Sequence, residues 1–440
     1  MTQAPLRRKL PFMPGYTPRP LPRSLYAATA IPAPPTPPLD GDATADVAII
    51  GGGFTGLSTA LHLAERGVAV TLIEANEPGW GASGRNGGQV NPGLKHTPDE
   101  IEAKHGELGR RMVAFSHAAP DYVFDLVRRF QIRCAARQGG TLRAAIGRKP
   151  AEELRRLQKV YEERGHPTRL LEGAALREAT GTDFYTLGLL DPRGGDLNPL
   201  SYARGLAGAA MALGARIHGG TPALALRPGK DGWEIATPKG RLRAGQVLLA
   251  TNGYTDSLWP GLARSLVPLY SSVRASAPIP QKLAASIVPF RGSVYETGRV
   301  TVYYRVDDGN RLVIGSRGPQ RDLTSPEPVA YLVAHAELLW PQLKGIEWAE
   351  AWNGQLAYTE DHTPHVHVLA PGLYAAYGYN GRGVAMASHM GKALAGLLTE
   401  GEAGFDMPIT PMQPIAFHRF WKLGVWSEIA RMRVLDKLGL

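Results

Sequence analysis

This chain of 440 residues lacks most of the features that decide a protein's class at once. Its one cysteine, Cys134, excludes an intramolecular disulfide and a cysteine-built metal site, and fits a reducing compartment. No uncharged apolar run approaches the roughly 18 residues of a membrane span, so the sequence reads as soluble. The opening "LRRKLPFMPGYTPRPLPRS" lacks the apolar centre of a signal peptide, which makes the cytoplasm the expected location. An excess of ten positive charges is scattered through "GRRM", "VRRF" and "ELRRL" with no long basic block. It reads as a solvated surface, and no nucleic-acid partner is expected. No repeat of fixed period is present, which argues against a solenoid or propeller.

What is there is a chain too long for one core, since single cores stop growing near roughly 250 to 300 residues. Residues 1–42 are proline-rich and predict an arm that is extended over the surface or partly disordered. The run "DVAII" predicts a buried strand, and Leu57, Leu61 and Ala64 fall on one face of a helix. Later strand and helix patterns alternate between this style and short alternating segments such as "SVYETGRVTVYYRVDDGNRLVIG". The expected fold is α/β: a Rossmann-like nucleotide-binding domain (43–95, 196–257 and 351–403) interleaved with an α+β domain on an antiparallel sheet (96–195 and 258–350). A basic, aromatic helix is expected over 404–440.

Gly51, Gly53 and Gly56 form G-x-G-x-x-G between a strand and a helix. The spacing suits a tight turn, close approach of a pyrophosphate, and close helix packing, with the helix N-terminus facing the phosphate charge. Glu74 ends the second strand ~20 residues on, where a carboxylate accepts both ribose hydroxyls and repels a 2'-phosphate. That much suits a nicotinamide or a flavin dinucleotide. The following "NEPGWGASGRNGGQVNPG" favours flavin: Ser83, Arg85 and Asn86 supply donors among Gly81, Gly84, Gly87 and Gly88, fit for close backbone contact along a cofactor.

The segments "SLYAATA", "GGGFTGLSTALHLAERG", "GWGASGRNGGQV", "GGDLNPL", "YYRVDDGNRLVIG" and "YGYNGRGVAMASHMGKALA" together resemble the flavin-dependent amine and D-amino acid oxidase family, from Ser24 onward. The resemblance implies FAD, with Gly51, Gly53, Phe54, Thr55 and Gly56 at the pyrophosphate and Glu74 and Ala75 at the adenosine ribose. Gly81 and the stretch Ser83 to Gln89, including Arg85, Asn86, Gly87 and Gly88, would lie along the cofactor towards its ring. Ala223 would face adenine, Ala250 and Thr251 would form a third turn, and Gly378, Asn380, Gly381, Gly383 and Val384 a final one. Some relatives tether their flavin through a cysteine; Cys134 lies too early for that, so the FAD is expected to be non-covalent.

The implied reaction is oxidation of a C–N bond to an imine, which water hydrolyses. The favoured substrate is a small-molecule amine of the gamma-glutamylputrescine type, an N-acylated polyamine. An amino or imino acid (D-amino acid, sarcosine, pipecolate or proline) is the alternative, and the electron acceptor is oxygen or a respiratory carrier. Two rivals stand beside it: a nicotinamide dehydrogenase and a non-catalytic flavin-binding subunit. On the substrate side, Tyr303 and Arg305 share one face of a strand and Tyr304 takes the other. Arg305 is the candidate for a substrate carboxylate, unless it is a solvated surface arginine. Trp352 and Tyr379 are candidates for an aromatic wall. His362, His365 and His367 lack a recognisable ligand geometry, so no metal is expected. The carboxyl-terminal segment is expected to dock on its own core, with peripheral membrane contact as the other reading.

Overall fold

The computed structural model describes residues 16–438. The strand Ala43–Ile50 is central because both its faces are covered: Val47 and Ile49 enter one apolar cluster, Ala48 and Ile50 the opposite one. Parallel strands Arg216–His218, Val70–Ile73, Ala43–Ile50, Gly240–Leu249 and Leu373–Tyr377 follow one another across this sheet, and His365–Ala370 closes the edge antiparallel. The helices Phe54–Glu65, Pro199–Ala212 and Gly383–Glu400 bury their small-residue faces on the Val47 side. At Gly56 a Cβ would overlap the Gly51 carbonyl, so only glycine lets the first helix sit down on the turn before it.

The second sheet runs Glu350–Tyr358, Val267–Ala275, Leu312–Arg317, Tyr303–Val306, Ser293–Glu296, Thr141–Ala145, Leu187–Asp191, Arg169–Leu171. It is antiparallel except where Ser293–Glu296 meets Thr141–Ala145. Leu142, Val294, Tyr304, Ile314 and Trp340 form its core. The chain threads between the two sheets, as the interleaved Rossmann-like reading requires.

Three expectations need correction. Glu350–Tyr358 pairs along its whole length with Val267–Ala275, so the expected boundary at 351 falls inside a strand of the second sheet. Helix Pro98–Arg129, expected with the second domain, buries Met112, Phe115, Val123 and Phe124 in the cluster that holds Val47 and Ile49; its apolar stripe is covered by Gly383–Glu400. The carboxyl-terminal helix begins only at Trp421, because Pro408, Pro411 and Pro414 keep the preceding stretch extended. That helix is also not docked on a core around its circumference: Leu423, Trp426 and Val434 stay exposed.

Candidate active site

The strand ends of the first sheet and the inner face of the second enclose a continuous cleft. One arm, about 400 Å³, is lined by Gly51, Gly53, Glu74, Ala75, Gly81, Ala223 and Thr251. The other, about 170 Å³, is lined by Phe54, Thr55, Arg85, Asn86, Gly87, Gln89 and Tyr303, with Gly381, Gly383 and Val384 across from them. Gly53, Ala82, Ser83, Ala250 and Asn252 belong to both arms and make them one.

At the first arm, Glu74 is half-buried and its two oxygens accept from the backbone N–H groups of Gly52 (2.7 Å) and Asn76 (2.9 Å). Burial raises its pKa, against the pull of these N–H donors. The proline-rich arm reaches this end of the cleft. The Arg19 N–H donates to the Asn76 side chain at 2.7 Å, and Tyr16 and Arg19 form part of the wall. Ser83 Oγ accepts from the Phe54 N–H at 3.0 Å, so one donor of the first helical turn is held by the "GASGRNGG" loop, while Gly53 and Thr55 beside it line the cleft. Gly52, Ala82, Asn252 and the arm residues escaped sequence reasoning; the first three each adjoin an expected residue (Gly51, Ser83, Thr251), whereas Tyr16 and Arg19 carried no such signal.

Not every expected site residue lies on the cleft. Gly56, Gly88 and Gly378 support it from behind. Gly88 has φ +77°, and a Cβ there would overlap the Leu197 carbonyl and crowd the Arg305 guanidinium. Asn380 both lines the cleft and braces the final turn, its side-chain oxygen accepting from the Thr359 N–H at 3.1 Å.

The substrate-side candidates divide more sharply. Tyr303 lines the cleft, with its hydroxyl 2.8 Å from that of Ser271, and Tyr379 lines it too, its hydroxyl 2.7 Å from that of Thr55. Tyr304 points the other way into the second core, donating to the Tyr185 hydroxyl and meeting the Trp340 ring edge-on. Trp352 is 1 % exposed and forms no wall: its Nε1 donates to the Arg85 carbonyl and its ring packs on Tyr26. Arg305 is neither solvated nor free for substrate. It is 3 % exposed, donating from Nε to the Gly87 carbonyl (2.8 Å), from Nη1 to Asp196 (3.1 Å) and from Nη2 to the Tyr26 hydroxyl (3.3 Å). The reason is Asp196, fully buried beneath the loop, which needs a cation there.

Cations of another origin surround the space beyond Tyr303. A pocket of about 140 Å³ opens from the cleft past Gln89, Asn91, Ser271 and Tyr303, and Lys95, Arg317 and Arg382 line it. Among the described residues, no aspartate or glutamate lines this pocket or the cleft arm beside it. Arg317 lies 4.8 Å from the centre of the Tyr358 ring and Arg382 5.1 Å from that of Tyr295. Arg382 donates to the Pro92 carbonyl and the Tyr295 hydroxyl, both uncharged partners. Lys95 is exposed as a whole, yet its ammonium is pushed down to about 8 by desolvation and then by Arg382, Arg143 and Arg317. Burial raises the Tyr295 pKa, but Arg382 and Arg143 outweigh it and leave the phenol below its usual range. Lys95, Arg317 and Arg382 come from three separate segments, and no local pattern announced them.

The histidines form no metal centre: among the described residues no cluster suits an ion. His365 is 2.9 Å from Asp361, and His367 bonds to the Tyr377 hydroxyl and the Thr410 carbonyl. Cys134 is buried with its thiol pushed up to about 12 by desolvation.

Comparison with known proteins agrees with this architecture. The chain is 33% identical over 387 residues to gamma-glutamylputrescine oxidoreductase of Escherichia coli, covering 87% of this chain and 90% of the relative. It is 32% identical over 366 residues to the probable oxidoreductase OrdL of Haemophilus influenzae, with 82% and 84% covered. The crystal structure of glycine oxidase from Geobacillus kaustophilus shares the fold, with a TM-score of 0.72 at 24% identity over 84% of this chain and 99% of that one. The sequence profile described as FAD dependent oxidoreductase (DAO) matches residues 46–397, and the chain belongs to that family of FAD-dependent amine and amino acid oxidoreductases.

Proposed function

We propose that the chain oxidises the C–N bond of an amine that also carries a carboxylate, and that an N-acylated polyamine of the gamma-glutamylputrescine type is its substrate. The observation that carries this reading is the pocket of Lys95, Arg317 and Arg382, three cations with no carboxylate among the residues lining the space. Holding three like charges around one partly desolvated pocket is costly unless a counter-ion arrives. A substrate carboxylate is such a counter-ion, and an arginine fork matches its geometry. Gamma-glutamylputrescine has a free carboxylate at one end and an amine at the other, and the relative with that name supports the choice.

The cleft fits FAD in its donor chemistry. We assign the ribose to Glu74, whose two oxygens keep lone pairs free beyond the two backbone bonds, and the pyrophosphate to the first turn of the helix Phe54–Glu65. The long helix Gly383–Glu400 starts at the far arm, where its N-terminal partial charge favours developing negative charge. When bound, FAD supplies the two-electron acceptor for hydride leaving the carbon beside the amine nitrogen. The chain's own contribution is binding and protonation. Lys95, Arg317 and Arg382 hold the carboxylate, and the same positive field disfavours an ammonium, so the amine is held in the neutral form that can lose hydride. With no carboxylate at the pocket wall, nothing opposes that loss of a proton. The imine product is hydrolysed by water to an aldehyde and ammonia.

The test is anaerobic mixing of the purified protein with gamma-glutamylputrescine, putrescine, sarcosine, pipecolate, proline and D-amino acids. Bleaching of the visible flavin band by gamma-glutamylputrescine, and far more slowly by putrescine, is expected. Bleaching by an amino or imino acid alone would move the assignment to that class, and a band untouched by every amine would leave a non-catalytic flavin protein.

The titration of Lys95 gives a second expected result. Its charge is present below about pH 8 and lost above it, whereas the substrate amine becomes neutral as pH rises. For a carboxylate-bearing substrate, kcat/KM should therefore fall on the alkaline side through a group near 8. In Lys95→Met that limb should disappear while the acid limb stays; a limb that persists would assign it to another group.

A further inference from the structure

We propose that the carboxyl-terminal helix docks this enzyme on an anionic lipid surface. Nine large hydrophobic side chains are exposed among the described residues, and five of them, Phe417, Phe420, Leu423, Trp426 and Val434, lie in this one segment. Phe417 is 81% and Trp426 69% exposed. In the helix Trp421–Leu438, Leu423, Trp426, Ala430 and Val434 share one face, while Val425, Ile429 and Met432 are half-buried on the other. An apolar cluster of this kind on a protein surface marks an interaction site.

Charge selects the occupant. The sequence from Ile415 to Leu440 holds five basic residues and two acidic ones, and Arg419, Lys422 and Arg431 are exposed beside the apolar face. Aromatic and aliphatic side chains flanked by lysine and arginine suit the headgroup layer, where stems and rings are buried and cations meet lipid phosphates. A second copy would bring the same cations against these, in a chain already carrying ten excess positive charges. The contact is peripheral, since no described helix is long and apolar enough to cross a membrane.

The attachment places this surface beside the substrate pocket. The Ile415 N–H donates to the Arg264 carbonyl at 2.7 Å, and His418 Nε2 donates to the Leu266 carbonyl at 2.8 Å. The strand that follows, Val267–Ala275, carries Leu269, Tyr270 and Ser271 into the pocket wall. A docked enzyme therefore holds its pocket rim close to the lipid.

The experiment is flotation of the purified full-length holoenzyme with vesicles of phosphatidylglycerol and phosphatidylcholine, or of phosphatidylcholine alone. Binding to the anionic vesicles only, reversed by salt, is expected. The double variant Leu423→Ser/Trp426→Ser should bind at least about tenfold more weakly with amine turnover in solution unchanged. Arg419→Glu/Lys422→Glu should lose binding likewise, at roughly fivefold or more per charge. No flotation of the wild type, flotation that both variants retain, or a dimer that Leu423→Ser/Trp426→Ser converts to monomer in sedimentation would each overturn the proposal.

Discussion

Replacing Arg317 with alanine is expected to lower kcat/KM for a carboxylate-bearing amine by about 100-fold, and to cost an amine without a carboxylate far less, since Lys95 and Arg382 remain to disfavour its ammonium. A hydrogen-bonded charge pair in a partly desolvated pocket contributes about 1.5 to 3 kcal/mol, and its loss appears as transition-state binding lost at that rate. Arg317 ends the strand Leu312–Arg317, and the Tyr358 ring holds its guanidinium at the pocket wall. The carboxylate that feels its charge, Glu428, is open to solvent and paired with Arg431, so removing Arg317 leaves no buried charge behind. The change should fall on KM far more than on kcat, because a contact distant from the reacting carbon binds ground and transition states alike. Arg317→Lys keeps the charge and loses the fork, and should recover only part of the deficit. Steady-state kinetics with gamma-glutamylputrescine and putrescine measure the difference. Equal losses for both amines would reduce Arg317 to a structural role.

Arg305→Met should behave in the opposite way, destabilising the protein by about 3 kcal/mol with no effect specific to carboxylate substrates. Asp196 is fully buried, and both Arg305 and Arg137 bond its Oδ1. Removing Arg305 leaves a buried carboxylate with one cation, which places the cost at the low end of the range for a broken buried pair. The Tyr26 hydroxyl and the Gly87 carbonyl lose their donor as well. Denaturant unfolding of the holoprotein checks the loss, and Asp196→Asn in the same chain should restore part of it, since it removes the stranded charge. A variant with unchanged stability and a raised KM for carboxylate substrates would return Arg305 to the substrate site.

The contrast between these two arginines shows where sequence reading stops. Both follow aromatic or small residues in one stretch of strand-forming chain, and in the sequence Arg305 is the more suggestive, beside Tyr303 and Tyr304. The alternation of that strand was legible: Tyr303 faces the cleft and Tyr304 the core, as period two requires. What lies on each side was not. Tyr26, from the amino-terminal helix Leu25–Thr29, and Asp196 reach Arg305 from 279 and 109 residues away.

The sequence by itself determined the nucleotide-binding half: the glycine turn, the helix on it, the acid that ends the next strand and the donor-rich loop. Those groups are close in the chain, and spacing alone brings Gly51, Gly53 and Glu74 to one edge of a parallel sheet. Tertiary structure alone decided the pocket proposed for the substrate. Lys95, Arg317 and Arg382 meet only because two interleaved sheets bring the cleft loop, a strand end and the last glycine turn around one pocket. Which arginine is consumed by a buried aspartate and which stays open to a ligand depends on long-range packing, because pairing and desolvation are properties of the assembled interior.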